Sequence, residues 1–228
     1  MSDEDMTYPK GKDGKPAALE ALSDIDGRRF SPSAGRNKEA IKHAFLKHMP
    51  IDGKVLEIGS GTGEHGIHIT EDAPRLEWIF SDPDQLSVAS IRAWIHHAGR
   101  ANLIGPHHLD ATERHWGALE ALQLNGLFCA NVIHISPFTV CEGLFAGASR
   151  LLIPGGRVFL YGPFGRNGHL SDGNQRFSDD LKRRDPSWGV RDLEVDVLPL
   201  AASYGFSITE IVEMPKNNLS IVLQTNAG

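Results

Sequence analysis

The segment Lys54-Val55-Leu56-Glu57-Ile58 runs directly into Gly59-Ser60-Gly61-Thr62-Gly63, and a helical pattern begins at Glu64. A short, β-rich apolar run bounded by glycine reads as a buried strand, and the pattern after the loop has helical spacing. A strand that hands over to a helix through a glycine loop opens a βαβ unit, which commits the chain to an α/β fold with a largely parallel sheet. Glycines at alternate positions also let backbone N–H groups and the helix N-terminus come close to a ligand. A tight turn alone has no need of three glycines with Ser60 and Thr62 between them.

The same alternation continues along the chain. Ile41, Ala44, Phe45 and Met49 predict a helix from Asn37, ended by Pro50 and Gly53. After the loop the pattern predicts helices over 64–72, 85–98, 113–122 and 138–152, and strands over 77–81, 107–109, 126–131 and 157–161. Two last strand patterns, 206–214 and 219–225, are joined only by Pro215-Lys216-Asn217-Asn218, a link that suits an antiparallel hairpin. The expectation is a Rossmann-like α/β sheet of seven strands, mostly parallel and closed by a C-terminal antiparallel hairpin. It resembles the class I methyltransferase sheet, in which a reversed strand enters beside the fifth.

Residues 1–30 are polar and broken by Pro9, Gly11, Gly14 and Pro16, so they read as a flexible leader to a single domain over 31–228. The alternative is an arm, Arg29-Phe30-Ser31-Pro32-Ser33, that closes over a ligand. A chain of 228 residues with 40% hydrophobic composition can bury one ordinary core. Its formal charge of −6 lacks the basic footprint of a nucleic-acid binder, which leaves a small-molecule partner. No apolar run approaches the roughly 20 residues of a membrane helix, and the N-terminus has no hydrophobic signal core, so a cytoplasmic protein is expected. Cys129 and Cys141 read as free, buried thiols, and the histidines lack a further set of ligands at metal spacing.

Site residues follow from strand ends, because in doubly wound sheets the ligand lies at the C-terminal edge. In the loop, Gly59, Gly61 and Gly63 are the cofactor contacts. Glu64 stands where a dinucleotide fingerprint carries Gly or Ala, which favours S-adenosylmethionine (SAM) over a nicotinamide dinucleotide. Glu57, just before the loop, is an acceptor for loop N–H groups or, through water, for the ligand's ammonium. Asp82 closes the second strand where ribose hydroxyls are usually held, and neighbouring Asp84 is better placed to cap the next helix. Asp110 and Ala111 follow the third strand and suit the adenine amino group and a ring nitrogen, although Asp110 or Thr112 could instead cap a helix. Asn131 leaves the fourth strand as a hydrogen-bonding group, and His134 is a candidate base with packing as its alternative. Tyr161, in Tyr161-Gly162-Pro163-Phe164 after the fifth strand, is a candidate for the acceptor side.

Taken together, Arg36-Asn37-Lys38, Leu56 to His65 through the loop, Ser81-Asp82-Pro83-Asp84, Asn131 to Pro137, Tyr161 to Phe164 and the late block Asp185-Pro186-Ser187-Trp188-Gly189-Val190-Arg191-Asp192 resemble the methyltransferase-like twenty-six family. These are small class I homologues that use SAM and release S-adenosylhomocysteine (SAH). The resemblance covers about residue 33 to the C-terminus. It implies that Arg36 and Asn37 belong to the cofactor site, with Arg36 opposite a carboxylate, and that Asn174, Trp188 and Arg191 cap the substrate.

Overall fold

The computed structural model describes residues 22–226. Helix α1 (Pro32–His48) begins where Ser31 accepts the Ala34 N–H at 3.4 Å and Pro32 presets the first turn, and its last turn carries Lys47 and His48 beside the exposed carbonyls. Strand β3 (Asp52–Ile58) then enters the core, followed by α2 (Glu64–Ile69), β4 (Arg75–Asp82), α3 (Gln85–Ala98) and β5 (Leu103–His108). Asp84 caps α3 by accepting the Ser87 N–H at 2.8 Å, and Gly99 closes it in the left-handed conformation. Next come β6 (Leu124–Ala130), α4 (Phe138–Leu151), β7 (Leu152–Gly162), α5 (Asp172–Arg184), α6 (Leu198–Ser203), β8 (Phe206–Met214) and β9 (Asn218–Thr225).

The seven strands lie in the order β5-β4-β3-β6-β7-β9-β8. Pairs from β5 to β7 are parallel, and β9 enters antiparallel beside β7 with Tyr161 opposite Ser220. This is the class I methyltransferase fold. The order reverses between β3 and β6, so their C-terminal ends flank the crevice in which an open α/β sheet holds its ligand.

Both sheet faces are covered. On one, Phe45 of α1 packs on Trp78, Phe128 and Phe159 at ring separations of 5.4, 6.0 and 5.7 Å, contacts worth about 0.5–1.5 kcal/mol each beyond the area they bury. Trp78 fits because residue 66 of α2 is glycine: a Cβ there would run into the indole nitrogen. On the other face Cys129, Cys141, Leu144, Phe145, Leu160 and Ile221 form the core under α4 and α6, and both cysteines are free and buried.

Three stretches depart from the expected pattern, the first being the strand expected over 107–109, which runs over Leu103–His108. Residues 113–122 are not an α-helix but an extended loop ending in one tight turn over Gly117–Ala121, because Gly117 sits at φ +59° and Trp116 is driven inward against Gly147 of α4. Of the leader expected over 1–30, residues 1–21 lie outside the described residues. Its last eight form a hairpin, β1 (Ser23–Ile25) with β2 (Arg28–Phe30), seated on α3 with Phe30 edge-on to Trp94 at 4.9 Å. Among the described residues no helix is long and apolar enough to cross a membrane.

Candidate functional site

The three loop glycines all adopt positive φ, yet they do different work. A Cβ on Gly59, at φ +66°, would come within 2.6 Å of Val132, and one on Gly63, at φ +93°, within 3.2 Å of Ile91. Those two glycines let the loop pack on the turn after β6 and on α3. Gly61, at φ +57°, faces open space, with no atom of the described residues beyond its chain neighbours within 4 Å of its would-be Cβ. Of the three loop glycines it is the one at which a side chain would meet none of the described residues.

The loop is held from below by two buried carboxylates. Asp82 Oδ2 accepts the Gly61 N–H at 2.8 Å and Oδ1 accepts the Asp84 N–H at 2.8 Å. Each oxygen keeps a lone pair for a further donor, so a ribose diol can still be held there. Burial pushes the Asp82 carboxyl up to about 7 against the lowering effect of those N–H groups. Glu57 is 1% exposed and accepts the Trp78 indole N–H at 2.9 Å; burial pushes its carboxyl up to about 8, opposed by Trp78 and the Ser60 hydroxyl. Glu57 thus lies beneath the loop and is tied to the core.

Beyond β5, Asp110 is half-buried and one of its oxygens accepts both the N–H and the hydroxyl of Thr112, at 3.0 and 2.7 Å. Since no α-helix follows, it orders a turn and does not cap a helix. With His107, His108, Trp116 and Gly117 it lines a cleft of about 250 Å³, while Ala111 is buried against Gly143 of α4.

At the C-terminal ends of β6 and β7, Asn131 takes φ +64° and gives its N–H to the Tyr161 carbonyl at 2.7 Å. The adjoining Val132 touches Gly59, so Asn131 stands beside the glycine loop. Arg36 is exposed on the first turns of α1. At the next residue, the Asn37 side chain hydrogen-bonds the Tyr161 phenol, whose pKa burial raises, and Asn37 Oδ1 is left buried with no partner among the described residues. The structure therefore brings α1 to Tyr161, a meeting that no spacing in the sequence discloses.

His134 is fully buried. Its exposure is 0%, Nδ1 accepts the Arg191 N–H at 3.2 Å, and its carbonyl accepts the Gly189 N–H at 2.9 Å. That bond fixes the proton on Nε2, which packs against Gly162, and the ring stands edge-on to Phe164 at 4.8 Å. Burial, with the nearby Arg191 charge, pulls its pKa down to about 3. Nδ1 is thus tied to the late block, while Nε2 is buried with no partner among the described residues. Arg191 extends the tie, donating to the carbonyls of Ile133, Ser136 and Ser187 at 3.0, 2.8 and 2.7 Å over the Phe138 ring. Asn174 is also committed to protein contacts, since its amide donates to the Asn217 carbonyl at 3.1 Å, and Trp188 is nearly buried at 9% exposure.

Residues 28–225 match the family described as "Protein of unknown function (DUF938)". The chain belongs to this family. Solved structures with the same fold include an O-methyltransferase family protein from Burkholderia thailandensis, with a TM-score of 0.71 at 12% identity, covering 86% of this chain and 57% of that one. Human N-acetylserotonin methyltransferase in complex with SAM has a TM-score of 0.62 at 15% identity, over 86% of this chain and 53% of the other. A Galdieria sulphuraria protein, assigned provisionally as a sarcosine dimethylglycine methyltransferase, has a TM-score of 0.66 at 13% identity over 90% and 94%. The chain spans under three fifths of the first two structures and nearly all of the third.

For this DUF938 member, His134→Ala should act on stability. Removing a fully buried ring, the acceptor for Arg191 N–H and the contact with Phe164 should cost about 2–4 kcal/mol. Urea denaturation checks it: a midpoint unchanged from the native chain would return His134 to the list of solvent-reaching groups.

Proposed function

We propose that the chain is a SAM-dependent methyltransferase acting on a small-molecule nucleophile. The observation that carries this reading is the open cradle at Gly61, bordered by Asp82 at a strand-to-helix crossing of a class I sheet. The resemblance to the methyltransferase-like twenty-six family supports it. SAM, when bound, supplies a methyl group on a positively charged sulfur. Gly61 admits the cofactor backbone-close in a loop whose packing Gly59 and Gly63 allow, Asp82 takes the ribose hydroxyls, and Asp110 with Ala111 N–H meets the adenine edge. Arg36 and Asn37 take the amino-acid end, with Asn131 beside it and Glu57 steadying the loop from beneath.

In-line displacement at a sulfonium needs alignment and exclusion of water more than covalent assistance. Tyr161, held by Asn37, orients the acceptor by hydrogen bonding, and its raised pKa keeps the phenol protonated as a donor. His134 works through Arg191 as a positioning residue, so an acceptor that must lose a proton gives it to water or arrives ionised.

Calorimetry with SAM, SAH and NAD tests the reading. SAM and SAH are expected at about −8 kcal/mol, which is micromolar, with no heat from NAD. In Asp82→Ala the affinity should fall at least about tenfold through lost charge-assisted hydrogen bonds. NAD binding without a SAM response overturns the cofactor, and SAM binding with no SAH formed from any of a panel of hydroxyl, thiol and amine acceptors overturns the enzymatic part.

A further inference from the structure

Two buried links tie the segment ahead of α1 to the glycine loop. Glu64 Oε2 accepts the Ser31 N–H at 2.7 Å and the Thr62 hydroxyl at 2.9 Å, and Glu64 is 5% exposed. Ser90 Oγ accepts the Arg29 N–H at 3.0 Å and donates to the Thr62 carbonyl at 2.9 Å, and Ser90 is 0% exposed. Both links converge on Thr62, the residue after Gly61. The hairpin is seated on α3 by the Trp94 indole N–H, which donates to the Arg29 carbonyl at 3.1 Å, and by the Arg28 guanidinium over the Trp94 ring at 4.9 Å.

A buried carboxylate is costly unless its donors are in place, so Glu64 holds its position only while Ser31 and Thr62 hold theirs. The strand ladders of the main sheet make no use of this contact. It joins the loop to the start of α1, from which Arg36 and Asn37 project. We infer that Arg28 to Ser31, clasped through Glu64 and Ser90, is a fixed wall of the cofactor site, and that Glu64 is a positioning residue for SAM binding. The inference rests on the SAM reading above. Glu64 touches no part of the ligand in this scheme: it sets Thr62, and Thr62 sets Gly61. Because coupling between sites is reciprocal, a ligand that steadies the loop must also steady the hairpin.

The test uses the full chain, with SAH titrated by calorimetry and hydrogen exchange followed with and without SAH. The native chain is titrated first; no SAH binding there overturns the SAM reading itself, before any variant is made. Given binding, SAH should slow exchange of residues 28–31 along with the glycine loop, by about threefold or more. Glu64→Ala should bind SAH about tenfold more weakly, with that protection lost, whereas Glu64→Gln, which keeps an acceptor oxygen, should stay within about threefold of native. Arg28→Ala loosens the hairpin from α3 without touching the loop and should weaken SAH by about two- to fivefold.

A folded Glu64→Ala chain with native SAH affinity overturns the clasp, as does SAH protecting the loop while leaving residues 28–31 unchanged. If Glu64→Ala does not fold, Arg28→Ala decides, and native affinity in that variant overturns it.

Discussion

Gly61→Val should bind neither SAM nor SAH while still folding. Residue 61 lies at φ +57°, its Cβ would project into open space, and its N–H is held by Asp82 at 2.8 Å. Valine there pays a left-handed backbone cost of about 1–3 kcal/mol, which lowers the melting temperature by several degrees without abolishing a cooperative transition. Its two methyl groups occupy the space through which a cofactor must approach the backbone, so affinity should fall by more than about 100-fold.

Gly61→Asn separates obstruction from strain, since asparagine tolerates the left-handed region. It should melt near the native chain and still lose the cofactor. Gly59→Ala gives the opposite pattern, because its Cβ meets Val132 at 2.6 Å and the damage falls on packing. Calorimetry beside thermal melts reads all three. SAM affinity within about threefold of native in Gly61→Val and Gly61→Asn would show that the open space is not where the cofactor lies.

The second large effect is a loss of stability as pH rises. The Glu57 carboxyl stands at about 8 in the fold against an ordinary 4.5, and Asp82 at about 7 against 3.8, both through burial. A folded state that holds protons more tightly than the unfolded chain is most favoured below the unfolded pKa values. It loses that advantage as pH climbs toward the folded ones, so the window runs from about 4 to 8. Glu57→Gln removes the titrating group and keeps an oxygen for the Trp78 indole N–H. From pH 5 to pH 9 the native chain should lose about 2–4 kcal/mol relative to the variant. Urea midpoints across that range provide the measurement. A constant difference between the two proteins would mean that Glu57 is ionised in the fold at every pH tested.

Local signals were enough for much of this molecule. The glycine loop between a strand and a helix, the Asp84 cap, the 85–98 helix and the closing hairpin each depend on residues within a few positions of one another, and each lies where the spacing predicts. The same logic failed at 113–122, where helix-compatible residues were overruled by a distant partner: Trp116 gains more by burial against Gly147 of α4 than the segment gains from a helix.

Strand ends located Asp82, Asp110, Asn131 and Tyr161 near the crevice, because in a parallel sheet position along the chain determines the edge on which a residue emerges. What each side chain does there was decided in three dimensions. His134 stands at the expected strand end, with its Nδ1 bonded to Arg191, 57 residues away, and Glu64 holds Ser31 across 33 residues. Asn37 reaches Tyr161 only because α1 packs over β7. By itself, then, the sequence determined the fold class, most of the order of elements and the glycine loop, since those follow from periodicity and turn chemistry. Only the tertiary structure decided which polar groups remain available to a ligand, because hydrogen-bond partners and desolvation are set by residues far apart in the chain.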